Sequence, residues 1–359
     1  MYILLAILML AILITIHEFG HFTAARLMKI EVREFAIGMG PKLIGWKSRK
    51  YETDFAVRAI PLGGYCAFYG EDDARGISKD DPRAFPKQNV WKRLFVILMG
   101  PMMNFVLAFV VMLLFTWCCG AATVTGYEPY ISDVMAAGPA YSAGLKAGDR
   151  ILEINGTAPS DEDPDAFLDA ISEWKEGDAP LRIVVRRGND TIPMEMSPQW
   201  DDAENRMRIG VLIRYKEKVK LQRLAFGDGI SYSFHYCIHA SGQVFEALGT
   251  LVSKLGQKEA MEQVSGPVGM VTGVSSEVSQ YGFWAYIYLL VSISINLGLF
   301  NLLPIPGLDG SRLIFGLVEV VRGKAVPPEK EALVHLAGML LLLALAVYIT
   351  IHDILKLVR

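Results

Sequence analysis

An apolar run opens the chain and is interrupted by His17-Glu18-Phe19-Gly20-His21, and no other stretch constrains the fold as much. Met1 to Ile16 carry no charged residue, and the apolar character resumes through Met28 with only Arg26 against it, which is long enough for a membrane span of ~20 residues. Ionisable groups are costly in such a segment and mark function by default. On a helix, residues four apart share a face about one turn apart, so both imidazoles can reach one metal ion while Glu18 stands beside them. Two neutral imidazoles and one further protein ligand leave the fourth position of a tetrahedral zinc ion for water. The metal lowers that water's pKa, and a neighbouring carboxylate can take its proton. The competing reading, a chance H-E-x-x-H, loses weight where polar residues are this scarce.

A signal peptide would need a basic leading region and a small-residue cleavage site, and the segment instead runs through the motif into Arg26 and Lys29. Basic residues flank only its C-terminal side, so the positive-inside bias predicts an exterior N-terminus. His17 then sits toward the cytoplasmic face, since sixteen preceding residues rise ~24 Å. Composition agrees with a membrane protein carrying a soluble insert: 52% of the 359 residues are hydrophobic. The net charge of −3 gives no sign of nucleic acid as a partner. Cys66, Cys118, Cys119 and Cys237 have no framework spacing and receive no role.

Residues 29–92 read as a cytoplasmic, membrane-associated β-loop. Glu31 to Phe35 and Asp54 to Ile60 alternate as strands do, and Gly38 to Pro41 and Pro61 to Gly64 read as turns. Two readings stand side by side. An open edge around Phe55 and Val57 could offer backbone hydrogen bonds to an extended substrate peptide, or the loop could be a small hairpin that caps the bundle. A second span, 93–119, carries Gly100-Pro101-Met102-Met103-Asn104, which suggests close helix approach or a buried polar contact.

Composition changes between about Ala121 and Arg208, where seventeen acidic residues face eight basic ones. Residues 120–210 are read as a soluble α+β domain on the exterior side. The run Pro139 to Gly156 resembles the core of a bacterial PDZ domain, with a turn at Ala147-Gly148-Asp149 and an Asn155-Gly156 turn after a strand. Such a domain takes peptide tails by strand addition. Residues 211–282 read as an amphipathic linker region, of which Leu221 to Gln263 could lie along the outer membrane surface among its lipids. The pair His235 and His239 has helical spacing but no following carboxylate, and reads as structural.

A third span, 283–310, ends in Pro304-Ile305-Pro306-Gly307-Leu308-Asp309-Gly310. Running inward, it brings Asp309 to the depth of His17 and His21, which makes Asp309 the best candidate for a third zinc ligand; the alternative is a helix-capping aspartate. Residues 311–359 read as a cytoplasmic loop and a fourth span.

Taken in order, His17 to His21, Gly63-Gly64, Gly100 to Asn104, the PDZ segment, Ser265 to Gly269 and Asn301 to Gly310 resemble the site-2 proteases, and within them the bacterial regulator-of-sigma-factor type. The resemblance implies a polytopic α-helical membrane protein of about four spans with a β-hairpin loop and an inserted extracytoplasmic PDZ-like domain. It also implies a zinc endopeptidase of the bacterial inner membrane that cuts transmembrane segments of pre-trimmed proteins, such as anti-sigma factors or signal-peptide remnants. Carried over by position, His17, His21 and Asp309 are the ligands, Glu18 is the acid/base, and Asn296 and Asn301 contact the substrate. Ser311-Arg312 departs from the Gly-His that continues the aspartate motif in many members, and one PDZ-like unit is visible where some relatives carry two. A membrane-tethered peptide-binding adaptor without catalysis would tolerate loss of Glu18 or Asp309. A metal transporter would need a continuous polar path.

Overall fold

The computed structural model describes residues 2–50, 52–71, 81–136, 138–160, 165–201, 206–253 and 266–358. They fall into two compact units, Met1–Trp117 with Ala225–Arg359, and Cys118–Leu224. Ser265 and the end of the segment Leu221 to Gln263 lie outside the described residues.

In the first unit, α1 spans Tyr2–Leu27 and α2 spans Val90–Cys118. Four helices are long and apolar enough to cross a membrane: Ile3–Leu27, Val90–Cys118, Phe283–Leu302 and Glu329–Ile354. The chain is therefore a multi-pass membrane protein. The long apolar faces of these helices explain exposed side chains such as Leu4, Leu114 and Leu341, which suit lipid as readily as a core.

Between α1 and α2 lie β1, Val32–Lys47, and β2, Asp54–Phe68. Each long strand is used more than once. Residues 32–37 pair with 64–68, and residues 42–47 pair with 54–58, while 54–57 also lie beside 34–37. The segments from Gly38 to Pro41 and from Pro61 to Gly64, which the sequence suggests as turns, are bent but continuous strand. Gly38 makes the bend possible: its φ is 83°, and a Cβ there would press on the Ile60 carbonyl oxygen. This pairing overturns the expectation that Phe55 and Val57 form an open edge. Phe55 has Phe35 on one side and Trp46 on the other, and Val57 has Ile37 and Ile44. Residues 64–68 carry described pairing on one side only.

After the second unit the chain returns through α5, Phe226–Ser253, and α6, Pro267–Tyr281. It continues as α7, Phe283–Leu302, α8, Asp309–Arg322, and α9, Pro328–Val358. The proposed third span of 283–310 is thus two elements, because Pro304 and Pro306 end α7 and Asp309 opens α8. The stretch expected as a cytoplasmic loop after 311 is mostly the helix α8. Nor does α5 lie flat as an isolated surface segment. Tyr232 and Tyr236 reach Tyr288 and Ser292 of α7, and Ala240 joins Ala108, Met112, Val291 and Ile295 in one buried cluster, so α5 runs alongside α7. At the far end of α9, the buried Asp353 accepts hydrogen bonds from the backbone N–H groups of Gly266 and Gly269 at 3.0 and 2.8 Å, satisfying donors at the start of α6.

The second unit is a five-stranded sheet in the order β6-β5-β4-β3-β9, made of β3 (Ala121–Val134), β4 (Arg150–Ile154), β5 (Leu181–Arg187), β6 (Asp190–Met196) and β9 (Val211–Gln222). Short helices α3, Pro139–Ser142, and α4, Asp169–Ser172, accompany it, as does a pair of three-residue strands, β7 (Gln199–Asp201) and β8 (Arg206–Arg208). β9 pairs with β3 from Ala121 to Val134, so the expected domain end at 210 moves to the end of β9. The Asn155-Gly156 turn forms as the sequence suggests, with φ of 50° and 81°. Ile131, Ile151, Ile154, Phe167, Leu181, Ile183 and Val185 fill the core. Asp149 is buried beneath it; burial pushes its carboxyl up, but two bonds from Arg187 and one from the Lys146 N–H outweigh that and hold it below the usual carboxylate range.

Candidate metal centre

Helical spacing on α1 places His17 and His21 one turn apart on the same face, and both are buried. Their Nε2 atoms are 3.2 Å apart, and Asp309 Oδ2 lies 2.9 Å from His17 Nε2 and 3.2 Å from His21 Nε2. Among the described residues this is the one group of three metal-ligating side chains whose donor atoms converge. The alternative reading of Asp309 as a helix cap does not fit. It occupies the first helical position after Leu308, makes no capping bond, and turns its carboxylate to the two imidazoles.

Two glycines let these side chains meet. A Cβ on Gly20 would run into the Met99 carbonyl and stand 3.0 Å from Gly100 Cα; a Cβ on Gly100 would overlap the His21 imidazole. Helices α1 and α2 therefore cross with almost nothing between their backbones at the depth of the motif. The crossing carries the outer ends of the two imidazoles to fixed partners. His21 donates from Nδ1 to the Val96 carbonyl at 3.0 Å, and His17 Nδ1 lies 3.2 Å from the Asn104 side-chain amide.

The donor set of two imidazoles and a carboxylate, with Nδ1 of each ring engaged and Nε2 turned inward, suits zinc and matches the hydrolytic form of such centres. Glu18 directly follows His17 in sequence. Its side chain lies over the Gly64 strand segment, with Cγ 3.4 Å from where a Cβ on Gly64 would sit. The strand segment 64–68, with pairing described on one side only, thus runs beside Glu18.

The other predicted residues fall elsewhere. Asn301 donates from Nδ2 to the Leu297 carbonyl of its own helix, and Asn296 is half-buried on α7; no described contact joins either to the cluster. Phe55 is packed among Phe22, Phe35 and Trp46. His235 bonds within its own turn to Ser231. The sequence points to close helix approach or a buried polar contact at Gly100 to Asn104, but not to the partners found there, His21 and His17. Nor does it point to the surroundings of Ser311-Arg312. Ser311 Oγ donates to the Leu308 carbonyl, and His335 of α9 brings its Nδ1 within 3.4 Å of that oxygen, while Arg312 donates to Glu71 at 2.8 Å.

Residues 5–345 match the model of Peptidase family M50. A protein of Clostridium acetobutylicum, whose name places it provisionally among the zinc metalloproteases, is 33% identical over 98% of this chain and 97% of its own. The regulator of sigma-W protease RasP of Bacillus subtilis is 30% identical over 98% of this chain and 97% of its own. Among solved structures, the PDZ domain of an SdrC-like protein from Listeria monocytogenes is 28% identical and covers 25% of this chain and 90% of that one, with a TM-score of 0.22.

Proposed function

The chain belongs to Peptidase family M50, and from that membership we propose a mechanism built on His17, Glu18, His21 and Asp309. The protein is a zinc metalloendopeptidase of the site-2 protease type, acting within the membrane. His17 Nε2, His21 Nε2 and an Asp309 carboxylate oxygen hold the ion, and their convergence to 2.9–3.2 Å is the observation that carries the reading. Bound there, zinc supplies Lewis acidity toward a peptide carbonyl and toward water.

The chain's own residues do the rest. Glu18 accepts a proton from the attacking water on its carboxylate and passes it to the departing amine. A helical substrate shields its own peptide bonds, so it has to unwind and find replacement backbone partners where water is scarce. Residues 64–68 supply them: an extended segment added along that edge passes Glu18, whereas the strand holding Phe55 and Val57 is already paired on both sides. The substrates are transmembrane segments of proteins already trimmed outside the membrane, in keeping with a relative named as a regulator of sigma-W protease. The positive-inside bias supports an inner-membrane protein whose N-terminus and PDZ-like unit are extracytoplasmic, where the unit takes peptide tails.

Replacing Glu18 by Gln tests the assignment. The variant removes the proton acceptor and no ligand, so it retains stoichiometric zinc and loses cleavage of a model transmembrane substrate by at least about 100-fold. Cleavage at a rate near that of the unaltered protein would remove Glu18 from the mechanism.

A further inference from the structure

Asn104 is fully buried in α2, three residues past the Pro101 break. Its Nδ2 stands 3.2 Å from His17 Nδ1, while its Oδ1 has no hydrogen-bond partner among the described residues. The backbone at this point is tied down from the other side, where the buried Ser294 of α7 donates from Oγ to the Asn104 carbonyl at 2.8 Å. One residue thus links His17, through its side chain, to the helix that leads to Asp309, through its carbonyl.

The two metal-facing imidazoles have unlike partners. His21 Nδ1 faces the Val96 carbonyl, which can only accept, so the ring's hydrogen is on Nδ1 and Nε2 presents a lone pair to the cluster. His17 faces an amide, which can either donate or accept. With Nδ2 toward the ring, an N–H meets the Nδ1 lone pair and the ring's hydrogen falls on Nε2, the atom that must bind the ion. With Oδ1 toward the ring, Nδ1–H is the donor and Nε2 is free. A half-turn of the amide exchanges the two ends with its heavy atoms in place, and it gives the buried Oδ1 a donor.

We infer that Asn104 presents Oδ1 to His17 and accepts its Nδ1–H, and so acts as the positioning residue that holds His17 in the metal-binding tautomer. The inference rests on the assignment of His17 as a ligand. It separates Asn104 from a packing asparagine, because the sign of the bond matters as well as its presence.

The experiment uses the full-length protein in detergent, with zinc affinity measured by chelator competition and the visible spectrum recorded after cobalt replacement. Asn104→Asp keeps the shape and can only accept; it should bind zinc at least as tightly as the unaltered protein and retain a four-coordinate cobalt spectrum. Asn104→Leu keeps the approximate volume and loses the acceptor; its zinc affinity should fall 10–100-fold with its helical content unchanged. If Asn104→Asp instead weakens zinc by 10-fold or more, the amide donates and the inference is overturned. Equal affinity in all three proteins overturns it too, by reducing Asn104 to packing. Should the Leu variant not fold, the Asp comparison decides alone. His17→Ala separates the two levels: stoichiometric, tight zinc in that variant would refute the ligand assignment itself, whatever Asn104 does.

Discussion

Gly20 of α1 lies against Gly100 of α2, so that a methyl group on the first would stand 3.0 Å from the Cα of the second. The meeting of these two residues sets how far the His21 ring can reach. Gly100→Ala forces either the helices apart or the imidazole aside, a strain of about 1–3 kcal/mol. Zinc content of the purified variant, measured by elemental analysis, should fall below about half, with cleavage falling in step. Gly242→Ala on α5, where a Cβ meets nothing within 4 Å, is the control and should change neither. Full zinc occupancy in Gly100→Ala would show that the crossing does not position His21.

Asp309→Ala should lose metal and activity together, since two imidazoles alone hold zinc weakly. The contrast with Glu18→Gln, which should keep the metal, distinguishes a ligand from a proton acceptor. Stoichiometric zinc in Asp309→Ala would make the aspartate a bystander.

A substrate strand along residues 64–68 predicts where cross-links form. With Cys66, Cys118, Cys119 and Cys237 replaced by serine, a cysteine near the scissile bond of a trapped substrate should form a disulfide with Tyr65→Cys or Ala67→Cys in the Glu18→Gln background. Val57→Cys should yield little, because its strand is flanked by Ile37 and Ile44. The reverse pattern would return the substrate to the site first suggested by the sequence.

Helix-breaking residues in the substrate should speed its cleavage. Glycine lowers helix stability by about 1 kcal/mol relative to alanine, enough for roughly a five-fold change if unwinding precedes the chemistry. Cleavage rates of a substrate series with Ala, Leu, Gly or Pro beside the scissile bond provide the measurement, and indifference to the series would count against unwinding.

The second unit should lose stability in acid through Asp149. Its carboxyl is held lower in the folded state than in the unfolded one, so the Arg187 bonds contribute fully above the ordinary carboxylate pKa of about 4 and fade as pH falls through the lower folded value. Proteolysis of the full-length protein should cut between Cys118 and Leu224 progressively faster over that descent. Arg187→Ala should weaken the unit at neutral pH, by about 2 kcal/mol, since it strips two charge-assisted bonds from a buried carboxylate. An Arg187→Ala protein as resistant as the unaltered one would show the pair to be dispensable.

The convergence of His17, His21 and Asp309 is legible in the chain from two rules: four-residue spacing on a helix, and a count of apolar helices that brings Asp309 to the depth of His17. Asn104 carried a weaker signal. A lone asparagine in an apolar helix announces a polar contact without naming its partner, and here the partner was 87 residues away. The β-loop shows a different limit. Alternation identified strands at Glu31 to Phe35 and Asp54 to Ile60, but it contains nothing about which strand lies outermost, and so Phe55 and Val57 were assigned an edge that pairing with Trp46 and Ile44 covers. Glycines that ordinarily end a strand instead bend one. For α5, amphipathic patterning found the helix but could not tell a headgroup layer from a neighbouring helix as the apolar face's partner.

Arg312 and Glu71 join the helix opened by Asp309 to the turn that follows the strand segment beside Glu18, at 2.8 Å and with side chains 41% and 25% exposed. The pair is half-buried, less enclosed than the His17, His21 and Asp309 cluster, and dissolved ions screen it in part, at a Debye length of about 3 Å in 1 M salt. Ionic strength thereby becomes a way of loosening the strand from the aspartate helix while leaving the metal cluster shielded, and a salt titration of Michaelis constants can read the grip on substrate separately from the chemistry.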